Sequence, residues 1–237
     1  MDSQQTAFSW SDFFPSLHPE GRKFVIALGV AALVFLVLGW GVLLVITLIL
    51  ALFCAYFFRD PARVVPQTPD VLVSPADGRV QAIAMVPPPA ELEMGDAPML
   101  RISIFLSVLD VHVNRVPAAG CIEKRVYVPG AFLNAQLDKA SDKNERLLLR
   151  LRLANGQAVG FVQIAGLIAR RIVCHVHEGD EVEAGERFGI IRFGSRMDVY
   201  LPAGMAPAVA LGQRTLGGET IIAAPGDPAD RVTGVSR

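Results

Sequence analysis

Two kinds of residue in this 237-residue chain can do chemistry: histidines near strand ends, and a serine that follows a glycine. His112 stands in Leu109-Asp110-Val111-His112-Val113-Asn114-Arg115-Val116-Pro117. It lies just past a run that carries Ile102, Ile104, Leu106 and Val108 on one face, where functional residues are often placed. An imidazole there suits proton transfer, although on spacing alone a lone histidine at a strand end is more often structural than catalytic. His175 and His177 alternate with Val173 and Val176 and read as a solvated strand face; His18 precedes the hydrophobic segment and has no catalytic reading. Gly194-Ser195 lies between two strand-like runs within Ile190–Pro202. A serine hydroxyl is a weak nucleophile that needs a base oriented by a third group. As a bare dipeptide, Gly-Ser is no signal.

Several chemistries are excluded. The chain has no serine-hydrolase elbow, phosphate loop, dinucleotide fingerprint or metal-ligand cluster, so no metal site is expected. Cys54, Cys121 and Cys174 have unrelated spacings and read as small buried hydrophobes in a reducing compartment. A formal net charge of −1 leaves no nucleic-acid footprint.

The elements that must position these residues fall into two parts. Hydrophobic residues make up 52% of the chain and mean hydropathy is +0.42, but the excess is local. Residues 1–21 form a polar arm with Phe8, Trp10, Phe13 and Phe14, suited equally to a membrane interface or to the protein surface. From Phe24 to Phe58 there are 35 residues without a charge. One straight helix of that length would run about 52 Å, against a hydrocarbon core of roughly 30 Å. Gly39-Trp40-Gly41 in the middle predicts a turn, and hence a helical hairpin with arms 24–38 and 42–58. Arg22, Lys23, Arg59 and Arg63 flank its outer ends, which favours a hairpin that dips into or crosses the membrane with both ends on the cytoplasmic side. A single tilted span is the alternative. The expected division is 1–60 for arm and hairpin and 61–237 for a catalytic domain.

The second part reads as mainly β, a sandwich or barrel-like domain in an α+β chain. Val71–Ile83 reads as strand, Asp77-Gly78 turn, strand, and Arg101–Asp110 as a further strand. Residues 131–144 suggest a short helix or ordered loop. Leu147–Leu153, Asn155-Gly156 and Val159–Ile164 form the strongest hairpin signal. A weak repeat links Gly179-Asp180-Glu181-Val182-Glu183-Ala184-Gly185-Glu186 with Gly212-Gln213-Arg214-Thr215-Leu216-Gly217-Gly218-Glu219 and predicts two similar corners. Those corners, with Asp138-Lys139-Ala140, also admit a lipoyl- or biotinyl-like carrier or a membrane adaptor with a β-sandwich head.

From about Phe57 to Ala223 the chain resembles the phosphatidylserine decarboxylases in their short bacterial and archaeal form. The motifs are Phe57-Phe58-Arg59-Asp60-Pro61, Ser74-Pro75-Ala76-Asp77-Gly78, Asp110 to Pro117, Asn144-Glu145-Arg146, and Phe193-Gly194-Ser195-Arg196-Met197-Asp198, in the family's order. The resemblance implies a self-processing precursor. Ser195 would attack the Gly194 carbonyl, the resulting ester would eliminate, and Ser195 would become a pyruvoyl group at the head of an α chain, leaving residues 1–194 as the β chain. That cofactor would form a Schiff base with the serine headgroup of a phospholipid. Loss of CO2 would then give phosphatidylethanolamine. The family's Asp-His pair falls on Asp77 and His112, and Arg115 or Arg196 is placed to bind the lipid phosphate. Longer members carry a second histidine where this chain has Arg115, so the base is either His112 or differently arranged. An ether-linked archaeal serine lipid is the narrower alternative substrate. The implied setting is the cell membrane with the catalytic domain on the cytoplasmic side, with a homo-oligomer as one possible state.

Overall fold

The computed structural model describes residues 15–133, 143–167, 171–192, 194–227 and 232–234. The chain divides into two compact units, Met1–Ala62 and Arg63–Arg237. It is mainly β with two N-terminal helices, as the residue pattern predicts. The aromatic arm before Pro15, the Asp138-Lys139-Ala140 tripeptide and most of the 131–144 segment lie outside the described residues.

The first unit is a helical hairpin closed by a short strand pair. Strand β1 (Ser16–Leu17) pairs with β2 (Arg59–Asp60), and between them run α1 (Pro19–Val37) and α2 (Gly41–Phe57). The turn falls at Gly39-Trp40 as expected. Gly39 takes φ +69°, and the N–H groups of Gly39 and Trp40 donate to Leu36 O and Phe35 O. Helix α1 starts earlier than residue 24. Pro19 suits the first helical position, and His18 Nδ1 accepts from Glu20 N at 3.2 Å, so Arg22 and Lys23 lie within the helix. At the open end, Phe24 stacks on Phe58. Gly21 is also required there, because a Cβ would fall 2.3 Å from Phe58 Cβ. Among the described residues, no helix is long and apolar enough to cross a membrane.

Among the described residues, the second unit holds fourteen strands in chain order. The first seven are β3 (Leu72–Val73), β4 (Gly78–Val86), β5 (Met99–Leu106), β6 (Val113–Arg115), β7 (Gly120–Val128), β8 (Arg146–Arg152) and β9 (Ala158–Ala165). The rest are β10 (Ile172–Cys174), β11 (Glu181–Val182), β12 (Arg187–Ile191), β13 (Ser195–Leu201), β14 (Met205–Pro207), β15 (Arg214–Thr215) and β16 (Ile221–Pro225). They build a curled eight-stranded sheet of order β11-β7-β8-β9-β13-β5-β4-β15, flanked by the three-stranded sheets β10-β12-β6 and β14-β16-β3. The main core lies against one face of the large sheet, with Phe161 of β9 meeting Phe188 of β12 edge-on at 5.1 Å.

That order is palindromic, and the hydrogen bonds repeat with it. Val73 N donates to Pro117 O, and Arg115 N donates to Pro75 O, so two Pro-Ala corners exchange equivalent bonds. Gly212 N bonds Val80 O as Gly179 N bonds Ile122 O, both at 2.8 Å. The sequence repeat at 179–186 and 212–219 is therefore structural, and Gly179, Gly185, Gly212 and Gly218 all take positive φ. In one half, β8 and β9 are joined by the short turn at Asn155-Gly156. In the other, the equivalent strands β5 and β13 are separated by residues 107–194, yet Leu106 and Ser195 remain cross-strand partners. Ser195 thus begins a strand where a long excursion rejoins the sheet.

Asp77-Gly78 is not a hairpin turn: β3 pairs with β16 and β4 pairs with β5, so the dipeptide carries the chain from one sheet to another. Gly78 is there because a Cβ would lie 2.3 Å from Phe105 O.

Candidate active site

Ser195 opens β13 with its backbone held on both sides, opposite Leu106 of β5 and Ala165 of β9. Alternation along the strand sends Ser195, Met197, Val199 and Leu201 to the face of the main core. The residue is 0% exposed, and its Oγ has no hydrogen-bond partner. An unpaired buried hydroxyl costs about 1–3 kcal/mol, so its retention in the interior calls for a reason.

The residue before it is held in an unusual geometry. Gly194 takes φ +68°, in the left-handed region, although nothing lies within 4 Å of where a Cβ would be. Glycine is required there by the backbone angle alone. Its carbonyl accepts from Gly166 N at 3.0 Å, and its N–H donates to His112 Nε2 at 3.3 Å. The scissile-type carbonyl therefore already has a backbone donor on its oxygen.

His112 is 0% exposed and sits just before β6. Its Nδ1 lies 2.9 Å from Asp110 O, a pure acceptor, so Nδ1 carries the proton and Nε2 is left as the acceptor that faces Gly194. Asp110 in turn fixes the turn after β5. Its Oδ2 accepts from both the N–H and the hydroxyl of Ser107, each at 2.8 Å, and its Oδ1 is paired with Arg214.

Asp77 is buried and anchored from two sides. Arg63 Nη2 donates to Oδ1 and Oδ2 at 2.9 and 2.7 Å, and Gly217 N donates to Oδ1 at 2.7 Å. Burial pushes its carboxyl above the usual carboxylate range; Arg63 and the Gly217 bond work against that shift, and Asp110 adds to it. Arg63 was expected as a membrane-flanking charge. Its side chain is instead 9% exposed and belongs to the Asp77 pair. Arg115 lines the same corner, with its Nη1 donating to Gly185 O at 2.9 Å and its Cδ against Gly218.

Arg196 goes elsewhere. The alternation of β13 puts Arg196, Asp198 and Tyr200 on the face opposite Ser195. There Arg196 Nε and Nη2 grip both oxygens of Asp198 at 2.8 Å, with Arg101 Nη1 3.9 Å from the same carboxylate. Burial and Asp198 push the Tyr200 phenol up to about 12. This network borders a cavity of about 540 Å3 lined by Arg101, Arg146, Asp198 and Tyr200. Neither Arg115 nor Arg196 is a surface charge. His175 and His177 are exposed beyond the end of β10.

The structure thus gathers Gly194, Ser195 and His112 at one point, places Asp77, Arg63 and Arg115 around the 217–218 turn, and separates Arg196 from Ser195 by the thickness of the sheet. Residues 50–223 match the family of phosphatidylserine decarboxylases. The chain belongs to that family. It is 55% identical over 234 residues to a phosphatidylserine decarboxylase proenzyme of Zymomonas mobilis, covering 94% of this chain and 92% of that one. The corresponding protein of Cereibacter sphaeroides is 52% identical over 231 residues, covering 96% and 97%. That of Erythrobacter litoralis is 51% identical over 232 residues, covering 94% and 92%. As a member, the chain is an enzyme, a carboxy-lyase, and the carrier or adaptor alternative falls away. Gly166 and Asp110 carry no sequence signal for their parts in this site: one acts through a backbone N–H, the other through a carbonyl.

Proposed function

We propose that the chain is a precursor that cuts itself between Gly194 and Ser195, turns Ser195 into a pyruvoyl group, and decarboxylates phosphatidylserine at a membrane surface. The observation that carries this reading is the pairing of an unpartnered, buried Ser195 Oγ with a Gly194 carbonyl already bonded to Gly166 N–H. Such a serine fits the group, because the group is made from it in place.

In the cut, Ser195 Oγ bonds to the Gly194 carbonyl carbon, and the Gly166 N–H stabilises the charge that develops on the oxygen. His112 Nε2, left as the acceptor nitrogen by the Asp110 carbonyl on Nδ1, takes the hydroxyl proton and passes it to the leaving Ser195 nitrogen. The product is an ester in place of the peptide bond. Loss of the Ser195 Cα proton expels the Gly194 carboxylate and leaves dehydroalanine. One water then replaces nitrogen with oxygen, and ammonia departs. The balance is one peptide bond and one water consumed, with a Gly194 carboxylate, a ketone and ammonia formed. The buried setting keeps further water from the ester.

When formed, the pyruvoyl group supplies a carbonyl that takes the substrate amine and accepts the electrons freed as CO2 leaves. His112 stands beside it to return a proton to the headgroup α-carbon. Asp77, held by Arg63 and Gly217 at the 217–218 turn, feels the charge of Asp110, the residue whose carbonyl orients His112.

The membrane part of the proposal rests on the first unit. Val37, Val42 and Leu52 are 78%, 75% and 72% exposed, and neither helix has a polar face along its outer half. A helix that is apolar all round belongs in lipid or in a core. Arms of about 26–28 Å suit a hairpin that enters from the cytoplasmic side, tip first, and returns.

Intact mass of the purified protein tests the chemistry. The expected result is two chains, 1–194 and 195–237, the second lacking a free N-terminal amine, while Ser195→Ala stays whole and inactive. Active enzyme consisting of a single uncut chain would overturn the proposal.

A further inference from the structure

Asn114 of β6 and Gln163 of β9 are both 0% exposed and joined by a bond of 2.8 Å from Gln163 Nε2 to Asn114 Oδ1. Each keeps a polar group with no partner, Asn114 Nδ2 and Gln163 Oε1. Half-paired buried amides work against folding, and an apolar pair of the same shape would fill the space at less cost. The fold makes further room for them. Gly189, opposite Asn114 across the sheet, has a Cβ position only 3.1 Å from Gln163 Nε2 and 2.2 Å from Val173 O.

Their place relative to the reacting residue is fixed by register. Ser195 pairs with Ala165, and Gln163 pairs with Met197; Ala165 and Met197 both face the main core, so Gln163 and Ser195 share that face. Diagonal neighbours of this kind lie about 7–8 Å apart. Asn114 follows His112 by two residues and reaches the same space. One unpaired amide donor and one unpaired amide acceptor therefore belong to the side-chain pair that lies one diagonal step from Ser195, on the face that Ser195 shares.

We propose that Asn114 and Gln163 form the polar floor that receives the substrate's amino-acid headgroup, with Asn114 Nδ2 donating to the carboxylate and Gln163 Oε1 accepting from the amine. This rests on reaction at residue 195 as proposed above. Once the chain ends at the start of β13, the headgroup enters beside that new end. The product keeps the amine and lacks the carboxylate, so it retains only the Gln163 contact.

The test uses full-length Asn114→Leu, Gln163→Leu, the double variant, and Asn114→Ser, which keeps a donor. Self-cleavage is read on gels, and KM for phosphatidylserine and inhibition by phosphatidylethanolamine are read in mixed micelles. The three leucine variants should cleave as the wild type does. Asn114→Leu should raise KM about tenfold or more and leave product inhibition within about twofold. Gln163→Leu should weaken both, the double variant should melt at higher temperature than wild type, and Asn114→Ser should recover part of the lost KM. Leucine variants that self-cleave with KM unchanged overturn the proposal. Failure of all of them to self-cleave also overturns it, because the pair would then serve the precursor. A wild-type protein that cleaves but leaves phosphatidylserine intact would instead defeat the reading on which it rests.

Discussion

The backbone N–H of Gly194 donates to Nε2 of His112 at 3.3 Å, which ties the residue before the serine to an imidazole with no exposure to solvent. The contact joins the residues that lead into β6 and β13, strands of different sheets. It fixes the ring's tautomer from one side while Asp110 O fixes it from the other. Arg115, three residues after His112, is engaged with Gly185 O. The geometry puts the His112 imidazole against the proposed cut.

His112→Ala should therefore slow self-cleavage by about 10²–10⁴-fold, the usual worth of a positioned general base. A time course of the uncut band after refolding measures this. An unchanged rate would remove His112 from the step.

Gly194→Ala separates conformation from crowding. Nothing lies within 4 Å of the added methyl, so any effect comes from φ +68° alone. The left-handed region costs a non-glycine residue about 1–2 kcal/mol, equivalent to a five- to thirtyfold change in a rate or population. Slower cutting with normal folding is expected, read from the uncut band and the melting temperature. A rate equal to wild type would mean that the backbone angle does not matter.

Asp77 predicts a pH effect on stability. Its folded-state pKa is raised, chiefly by burial. Between the ordinary value near 3.9 and that raised value, the folded protein binds more protons than the unfolded one. Stability held by the neutral carboxyl is then present at the acid end and is lost as pH rises through this window. Arg63→Met removes the strongest opposing influence, so the loss should deepen and extend to higher pH, whereas Asp77→Asn should flatten it. Melting temperature measured from pH 4 to 8 distinguishes the two. Parallel curves for wild type and Arg63→Met would contradict the assignment.

The hairpin can be tested with its own tryptophan. The chain has two, Trp10 and Trp40, and Trp10→Phe leaves the one at the hairpin tip. Its emission should shift to the blue on adding vesicles and be quenched by lipids brominated along the acyl chain. Emission indifferent to both would place the tip outside the bilayer.

The sequence by itself determined the local facts. Gly39-Trp40-Gly41 punctuates an uncharged run, and the turn falls there because only glycine takes φ +69° without penalty. Asn155-Gly156 makes its hairpin, and the Gly-x-x-β-branched repeat makes two equivalent corners, for the same reason. Alternation along Arg101–Asp110 put Ile102, Ile104 and Leu106 on one face, and they do face the main core, but the strand stops at Leu106 and Val108 lies in the turn after it. Motif order along the chain was enough to identify the family. Only the tertiary structure decided what depends on strands meeting across long separations. Asp77-Gly78 looked like a hairpin because turn chemistry is local, whereas the choice of sheet is set by the exchange of bonds between Val73 and Pro117 and between Arg115 and Pro75. Arg196 is next to Ser195 in the chain but on the other face of the sheet, since neighbours on a strand point apart. Gly166, Asp110, Arg63 and the Asn114–Gln163 pair act through a backbone N–H, a carbonyl, or partners tens of residues away, and no spacing in the sequence encodes those. Gly194-Ser195 itself spans both cases: the residues name the proposed processing site, and the fold supplies the donor on the Gly194 carbonyl, the imidazole beside it and the buried surroundings.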